Sequence, residues 1–163
     1  MGRSLLFTGN LTTGNLKMSN AANDNTPILV AETDWFLQSL VNLTNKSAFQ
    51  VGITLQVSGM LVSGVLVSHK QYFEGFASEL ANAFADTEEA ETIKTHISSY
   101  GDSYKSDGEN EEPLPPPQFI HLKETRFFNT AGNPIPGNRG VWWRGRICEV
   151  GGFTLGSLSA SNS

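Results

Sequence analysis

Two glycine-punctuated β-rich segments, 51–68 and 119–159, stand on either side of a helical stretch and an acidic, proline-rich loop. That interruption restricts the folds open to this chain. In the first segment Val51, Ile53, Leu55 and Val57 alternate with Gly52, Thr54, Gln56 and Ser58, the period of a half-buried strand. Ser58-Gly59 is a turn signal, and the next run, 61–68, is apolar on both faces with Gly64 at its centre. A glycine inside a strand marks a bend or bulge. Alternation and glycine placement predict an α+β fold: a small bent antiparallel β-sheet or barrel, with an N-terminal helix and a helical insertion.

The helix is expected over 34–45, capped by Thr33, with Phe36, Leu40 and Leu43 in one stripe and Leu37 and Val41 beside it. Phe73, Phe76, Leu80 and Phe84 follow helical spacing. Asp86 then caps a further helix carrying Ala90, Ile93, Ile97 and Tyr100. These helices make 69–100 the insertion, and 102–117 the acidic Pro-rich loop. A strand is expected over 119–128 and a loop over 129–138. Strands near 140–150 and 153–158 then close a hairpin around Gly151-Gly152.

The chain of 163 residues fits a single domain, 28–159, between a disordered polar tail at 1–27 and a short C-terminal tail at 160–163. Met18 is an alternative start to Met1. A net charge of −5 and a pI near 5.1 oppose bulk attraction to phosphate backbones. No run is long enough to span a bilayer, and no secretory signal opens the chain. The single cysteine, Cys148, cannot form an intrachain disulfide, which agrees with a cytoplasmic setting.

No catalytic constellation is legible, so no enzyme activity, cofactor or metal is expected. His69, His96 and His121 lie far apart and read as solvated or hydrogen-bonded side chains. Cys148 reads as a small buried residue. The acidic cluster in 102–112 lacks the order of a calcium loop. Trp142 and Trp143 stand out. Adjacent strand residues point to opposite faces, so Val141, Trp143, Gly145 and Ile147 share an apolar, inward face. Trp142, Arg144 and Arg146 share the other face and are the candidate partner-binding residues. The alternative is core packing for both tryptophans, with a helix covering the second side of the sheet.

Several stretches together resemble the gas vesicle accessory protein U (GvpU) family. They are Asp-Trp-Phe-Leu-Gln-Ser-Leu-Val-Asn-Leu at 34–43, Gly-Ile-Thr-Leu-Gln-Val-Ser-Gly-Met-Leu-Val-Ser-Gly at 52–64 and Tyr-Phe-Glu-Gly-Phe at 72–76. Phe-Ile-His-Leu-Lys at 119–123, Trp-Arg-Gly-Arg-Ile at 143–147 and Gly-Phe-Thr-Leu-Gly-Ser-Leu at 152–158 complete the set. The resemblance implies a non-enzymatic accessory protein beside the gas vesicle shell, acting in its assembly or organisation. Its partners would be shell or other gas vesicle proteins and further copies of itself, and no membrane. A second resemblance is architectural. The strand with Gly64, a turn region at 71–74, the strand from Phe119 and the Arg144-Gly145 dipeptide follow the order of the Sm-like barrel. That likeness implies ring formation or RNA binding. Glu74 in place of the RNA-binding Asn, and the acidic insertion, both oppose RNA.

Overall fold

The computed structural model describes residues 33–47, 49–102, 114–129, 131–137 and 139–158. The two expected tails and most of the acidic loop lie outside them. Helix α1 runs Trp35–Lys46. The Asp34 carboxylate accepts from the Phe36 and Leu37 amides at 2.8 and 3.1 Å, so Asp34, and not Thr33, is the N-cap. Strands β1 (Val51–Val57) and β2 (Met60–Leu66) form the expected hairpin. Its two-residue turn puts Ser58 and Gly59 at φ 50° and 82°, the left-handed pair that matches strand twist.

Beyond β2 the expected strand to Ser68 stops early. The Ser68 hydroxyl accepts from the Gln71 amide and the Gln71 side chain accepts from the Ser68 amide. This capping box starts α2 at His69 and carries it to Ala81. Residues 71–74 are therefore helix and not a turn. Glu74 sits on the outer surface of that helix, 3.8 Å from Lys70. Asp86 caps α3 (Thr87–Ser99) as expected, and a 3₁₀ turn at Tyr100–Asp102 follows. The helical insertion between the second and third strands is thus present.

Strand β3 covers Phe119–Phe128. A short β4, Pro134–Ile135, pairs with its end, so the 129–138 segment is a hairpin and not only a loop. The Asn129 side chain organises that turn by accepting from the Ala131 and Asn133 amides, both at 3.0 Å. Strand β5 (Val141–Arg146) pairs with β3. A 3₁₀ turn at Ile147–Glu149 then leads to β6 (Val150–Leu155), which pairs with β1 at the far side. The result is an open, antiparallel, six-stranded sheet in the order β4–β3–β2–β1–β6, with β5 beside β4 on β3. The expected β5–β6 hairpin does not form. Gly151 instead lies in a register shift, where Gln56 faces Gly152 and Val57 faces Val150. The glycine pair serves a bulge and not a turn.

Alternation gives the sheet two faces. Ile53, Leu55, Val62, Leu66, Ile120 and Leu122 line one and meet Leu37 and Val41 of α1, with Ile147 from the 3₁₀ turn; all are fully or almost fully buried. The stripe of α1 that faces them is Leu37, Val41 and Thr44, one step round from the expected one. Thr44 tolerates burial because its hydroxyl donates to the Val41 carbonyl at 2.8 Å. Phe36 and Leu43 are consequently about half exposed, at 51% and 48%.

Gly64 performs the expected task. It stands where the β2–β3 register shifts, opposite Glu124 and Thr125, and Glu124 takes a positive φ of 54°. A Cβ at Gly64 would lie 2.8 Å from the Lys123 carbonyl oxygen and 3.1 Å from the Thr125 Cα. Both are backbone and cannot yield cheaply. Gly64→Ala is expected to lower stability by about 1–3 kcal/mol. Gly151→Ala, whose Cβ would meet only ordinary contacts near 3.7 Å, should stay within about 0.5 kcal/mol of the parent. Urea unfolding of both variants checks the contrast.

Candidate functional site

The second face of the sheet carries the chemistry. On β5, Trp142, Arg144 and Arg146 project to this side, while Trp143 turns inward and packs against the main core. The face assignment made from alternation therefore holds. The structure brings the three candidate residues onto one strand face but treats them differently. Arg144 and Arg146 are exposed. Trp142 is half-buried beneath α2, edge-on to the Tyr72 ring with centroids 6.0 Å apart. Its indole occupies the space that a side chain at Gly75 would need. The Tyr-Phe-Glu-Gly-Phe stretch thus places its glycine where α2 must approach β5.

Arg144 faces His121 across the β3–β5 ladder. Its guanidinium lies 3.5 Å above the centre of the Phe119 ring, a cation–π contact on the same face. Between α2, β3, β5 and the 115–118 segment is a cavity of about 310 Å³. Phe73, Tyr100, Phe119 and the proline run form its walls, and Asn45, His69, Gln118, His121 and Arg144 supply its polar groups. A wider depression of about 880 Å³ follows α3, but it is lined by side chains of a helix with no buried residue.

The three histidines have separate fates. His96 is exposed and 2.9 Å from the Tyr100 hydroxyl, as a solvated, hydrogen-bonded histidine should be. His69 is buried; its amide donates to the Asn45 Oδ1 at 3.0 Å, and its ring Nδ1 is 3.3 Å from the same oxygen. His121 departs from the expectation. It is 5% exposed, and neither ring nitrogen, both buried, has a hydrogen-bond partner among the described residues. The Tyr72 and Phe73 rings stand 4.8 and 6.0 Å away. Burial, reinforced by Arg144 and then by His69, pushes its pKa down to about 3. Burial also lowers His69 and raises the Tyr72 hydroxyl. Among the described residues no group of three or more His, Cys, Asp or Glu side chains is placed to hold a metal ion. Cys148 lies in the 3₁₀ turn, half-buried and free. Sequence spacing gave no signal for the cavity, because its histidines come from α2 and β3.

A different surface was also hidden. Trp35 is 74% exposed, and its ring lies 5.7 Å from Phe36, which is 5.9 Å from Phe153 of β6. Leu155, on the same face of β6, is 60% exposed. The dense apolar content of 34–43 was the available signal, since one helix stripe cannot bury it all.

The family model described as gas vesicle protein GvpU-like matches residues 34–158. The chain belongs to the GvpU-like family. It is a gas vesicle-related protein, and the match spans α1 to the end of the described chain after β6. Searches of curated proteins and of solved structures found no significant match. No helix among the described residues is long and apolar enough to cross a membrane.

Two outcomes follow for this GvpU-like chain. Gly75→Ala gains about 1 kcal/mol of helix propensity, but the new methyl overlaps the Trp142 indole. Overpacking costs of about 1–3 kcal/mol outweigh that gain. The variant should melt lower and show altered tryptophan fluorescence. The second outcome concerns pH. The His121 ring stays neutral in the folded chain down to about pH 3, whereas its ordinary value is 6.5. Between those values the unfolded chain binds the extra proton. This group's share of stability is therefore intact above pH 6.5 and is lost as pH falls, at up to about 1.4 kcal/mol per pH unit. His121→Phe should remove one proton's worth of that slope. It should also stabilise the fold at neutral pH by about 1–3 kcal/mol, by deleting an unpartnered buried polar group. Urea titrations across the window test both signs.

Proposed function

We propose that this chain is a non-enzymatic gas vesicle accessory protein that organises vesicles through protein–protein contacts in the cytoplasm. Family membership supplies the process. The observation that carries the contact mechanism is the apolar surface of Trp35, Phe36, Phe153 and Leu155 running onto the open edge of β6. The reading commits to a second copy of the chain on that edge. The opposite edge is guarded: β4 and its exit hold Pro134 and Pro136, and β5 holds Arg144 and Arg146. Strand β6 has neither proline nor charge. Two β6 edges pairing antiparallel about a two-fold axis close at a dimer.

Such a dimer presents two copies of the Trp142, Arg144 and Arg146 face, assigned here to an acidic surface on gas vesicle proteins. Two faces on one particle bridge two vesicles, and the bridging accounts for clustering by multivalency alone. The alternative, an Sm-like ring-forming protein, draws support from the helix-first order and the insertion between the second and third strands. RNA binding gains nothing from it, because the net charge is −5.

Flotation of the purified chain with isolated gas vesicles, paired with light scattering for its mass, tests the reading. The parent should float with vesicles, form a dimer and cluster them. Arg146→Glu should remain dimeric and stop floating. Leu155→Lys should become monomeric, still float, and no longer cluster vesicles. A parent chain that stays out of the floating layer, or an Arg146→Glu variant that clusters like the parent, overturns the proposal.

A further inference from the structure

Helix α2 lies over a buried histidine, and no side chain of α2 or α3 belongs to the main core. We propose that the helical insertion, 69–102, is an acid-released flap. It lifts from the sheet as one unit when His121 takes up a proton, while the α1 side of the sheet stays folded.

Packing makes the insertion separable. The core cluster is built by α1, β1, β2, β3 and Ile147. Helix α2 buries His69, Tyr72, Ala77 and Ala81. Helix α3 packs on α2 and the 3₁₀ turn, and none of its residues is buried. Polar ties from the insertion to the rest of the fold run through the His69 amide, on Asn45 Oδ1, and through Glu79. Glu79 lies 2.8 Å from an Arg139 side chain that is 69% exposed, so water weakens that pair. Both helices have 13 residues and are marginal on their own, so lifting opens their amides to exchange.

Burial makes the insertion proton-sensitive. Both ring nitrogens of His121 are buried, so no proton reaches them while α2 is seated. The surroundings also resist the charge. Arg144 faces the ring across the β3–β5 ladder, and Lys123 follows on the same face of β3. From α2 come the Tyr72 ring, 4.8 Å away, and His69 at the positive end of the helix. Lys70 and Glu74 are 3.8 Å apart on the outer surface of α2. The 3₁₀ turn brings Tyr100 and Asp102, whose carboxylate lies 3.9 Å from Lys70 and acts on His69. Asn45, Val67 and the 115–118 segment supply no titratable side chain. An imidazolium at 121 would stand among like charges.

Lifting removes both obstacles. It returns the ring to water at its ordinary pKa of 6.5, against about 3 when covered. Between those values each pH unit lost favours the lifted state by up to about tenfold.

Amide hydrogen exchange of the full chain, resolved by residue and corrected for intrinsic rate, tests the flap at pH 7 and pH 5. The α2 and α3 amides should share one protection value, about tenfold or more below that of β1 and β2 at both pH values. That shared value should fall about twentyfold from pH 7 to pH 5. His121→Phe should lose most of the fall, as should His121→Leu if the larger ring does not pack. Helix amides as protected as those of β1 and β2 would mean that the insertion opens only with the whole fold, and would overturn the proposal. A shared value that does not change with pH, or a full acid dependence kept by the His121 variants, would also overturn it. No vesicle enters the measurement, so the flap and the vesicle reading fail separately.

Discussion

The contact between the Trp142 indole and the bare backbone of Gly75 fixes how the second half of the molecule is arranged. The sheet must bury one face on α1, and Leu37 and Val41 accomplish that. The other face is left with Phe119, His121, Lys123 and Arg126 on β3 and with Trp142, Arg144 and Arg146 on β5. Helix α2 covers it only because Gly75 lets the helix come within ring distance of β5. Once α2 is seated there, Tyr72 and Phe73 lie over His121, and the proline segment closes the remaining side. One absent Cβ thus sets the burial of a histidine on the strand next to the tryptophan it admits.

That burial has an energetic sign. A neutral imidazole without partners forfeits its hydration and gains only aromatic contacts, a net cost of about 1–3 kcal/mol. Elsewhere the same face shows how polar groups are normally handled. Thr54 and Ser63 are buried too, but their hydroxyls are 2.9 Å apart. Thr54 also donates to the Gly156 carbonyl at 2.8 Å, and Ser63 accepts from the Leu158 amide at 2.7 Å. The chain after β6 folds across Gly52 to make these bonds. Satisfied polar pairs thus hold one end of the face, and an unsatisfied ring lies at the other.

What was legible in the sequence was whatever a short window encodes. Ser58-Gly59, Gly64, the limits of β3 and the Asp86 cap each follow from local geometry, and so does the opposition of Trp142 and Trp143. The errors share one cause: a partner distant in sequence decides the outcome. Phe36 and Leu43 form as good a stripe as Leu37 and Val41, and only the position of the sheet chooses between them. Gly151-Gly152 reads as a turn until β1 is there to pair with it. Residues 71–74 read as a turn until Ser68 and Gln71 close their reciprocal bonds. His121 looks ordinary on an alternating strand because nothing within ten residues announces the helix above it. The family likeness was legible from apolar and glycine spacing, since those positions are the ones the packing constrains.

The two sheet edges are unequal, and area explains why an edge alone is insufficient for assembly. Pairing two six-residue strands satisfies backbone groups but covers little surface, far below the roughly 800 Å² per partner of a stable interface. The missing area must be apolar and adjacent. Trp35, Phe36, Phe153 and Leu155 meet both conditions on the α1 side of β6. Had α1 turned its other stripe to the sheet, those rings would be core and the edge would stand alone. The rotation that places Thr44 inside, tolerated through one hydroxyl bond to Val41, is therefore what moves aromatic surface outward to the unguarded strand.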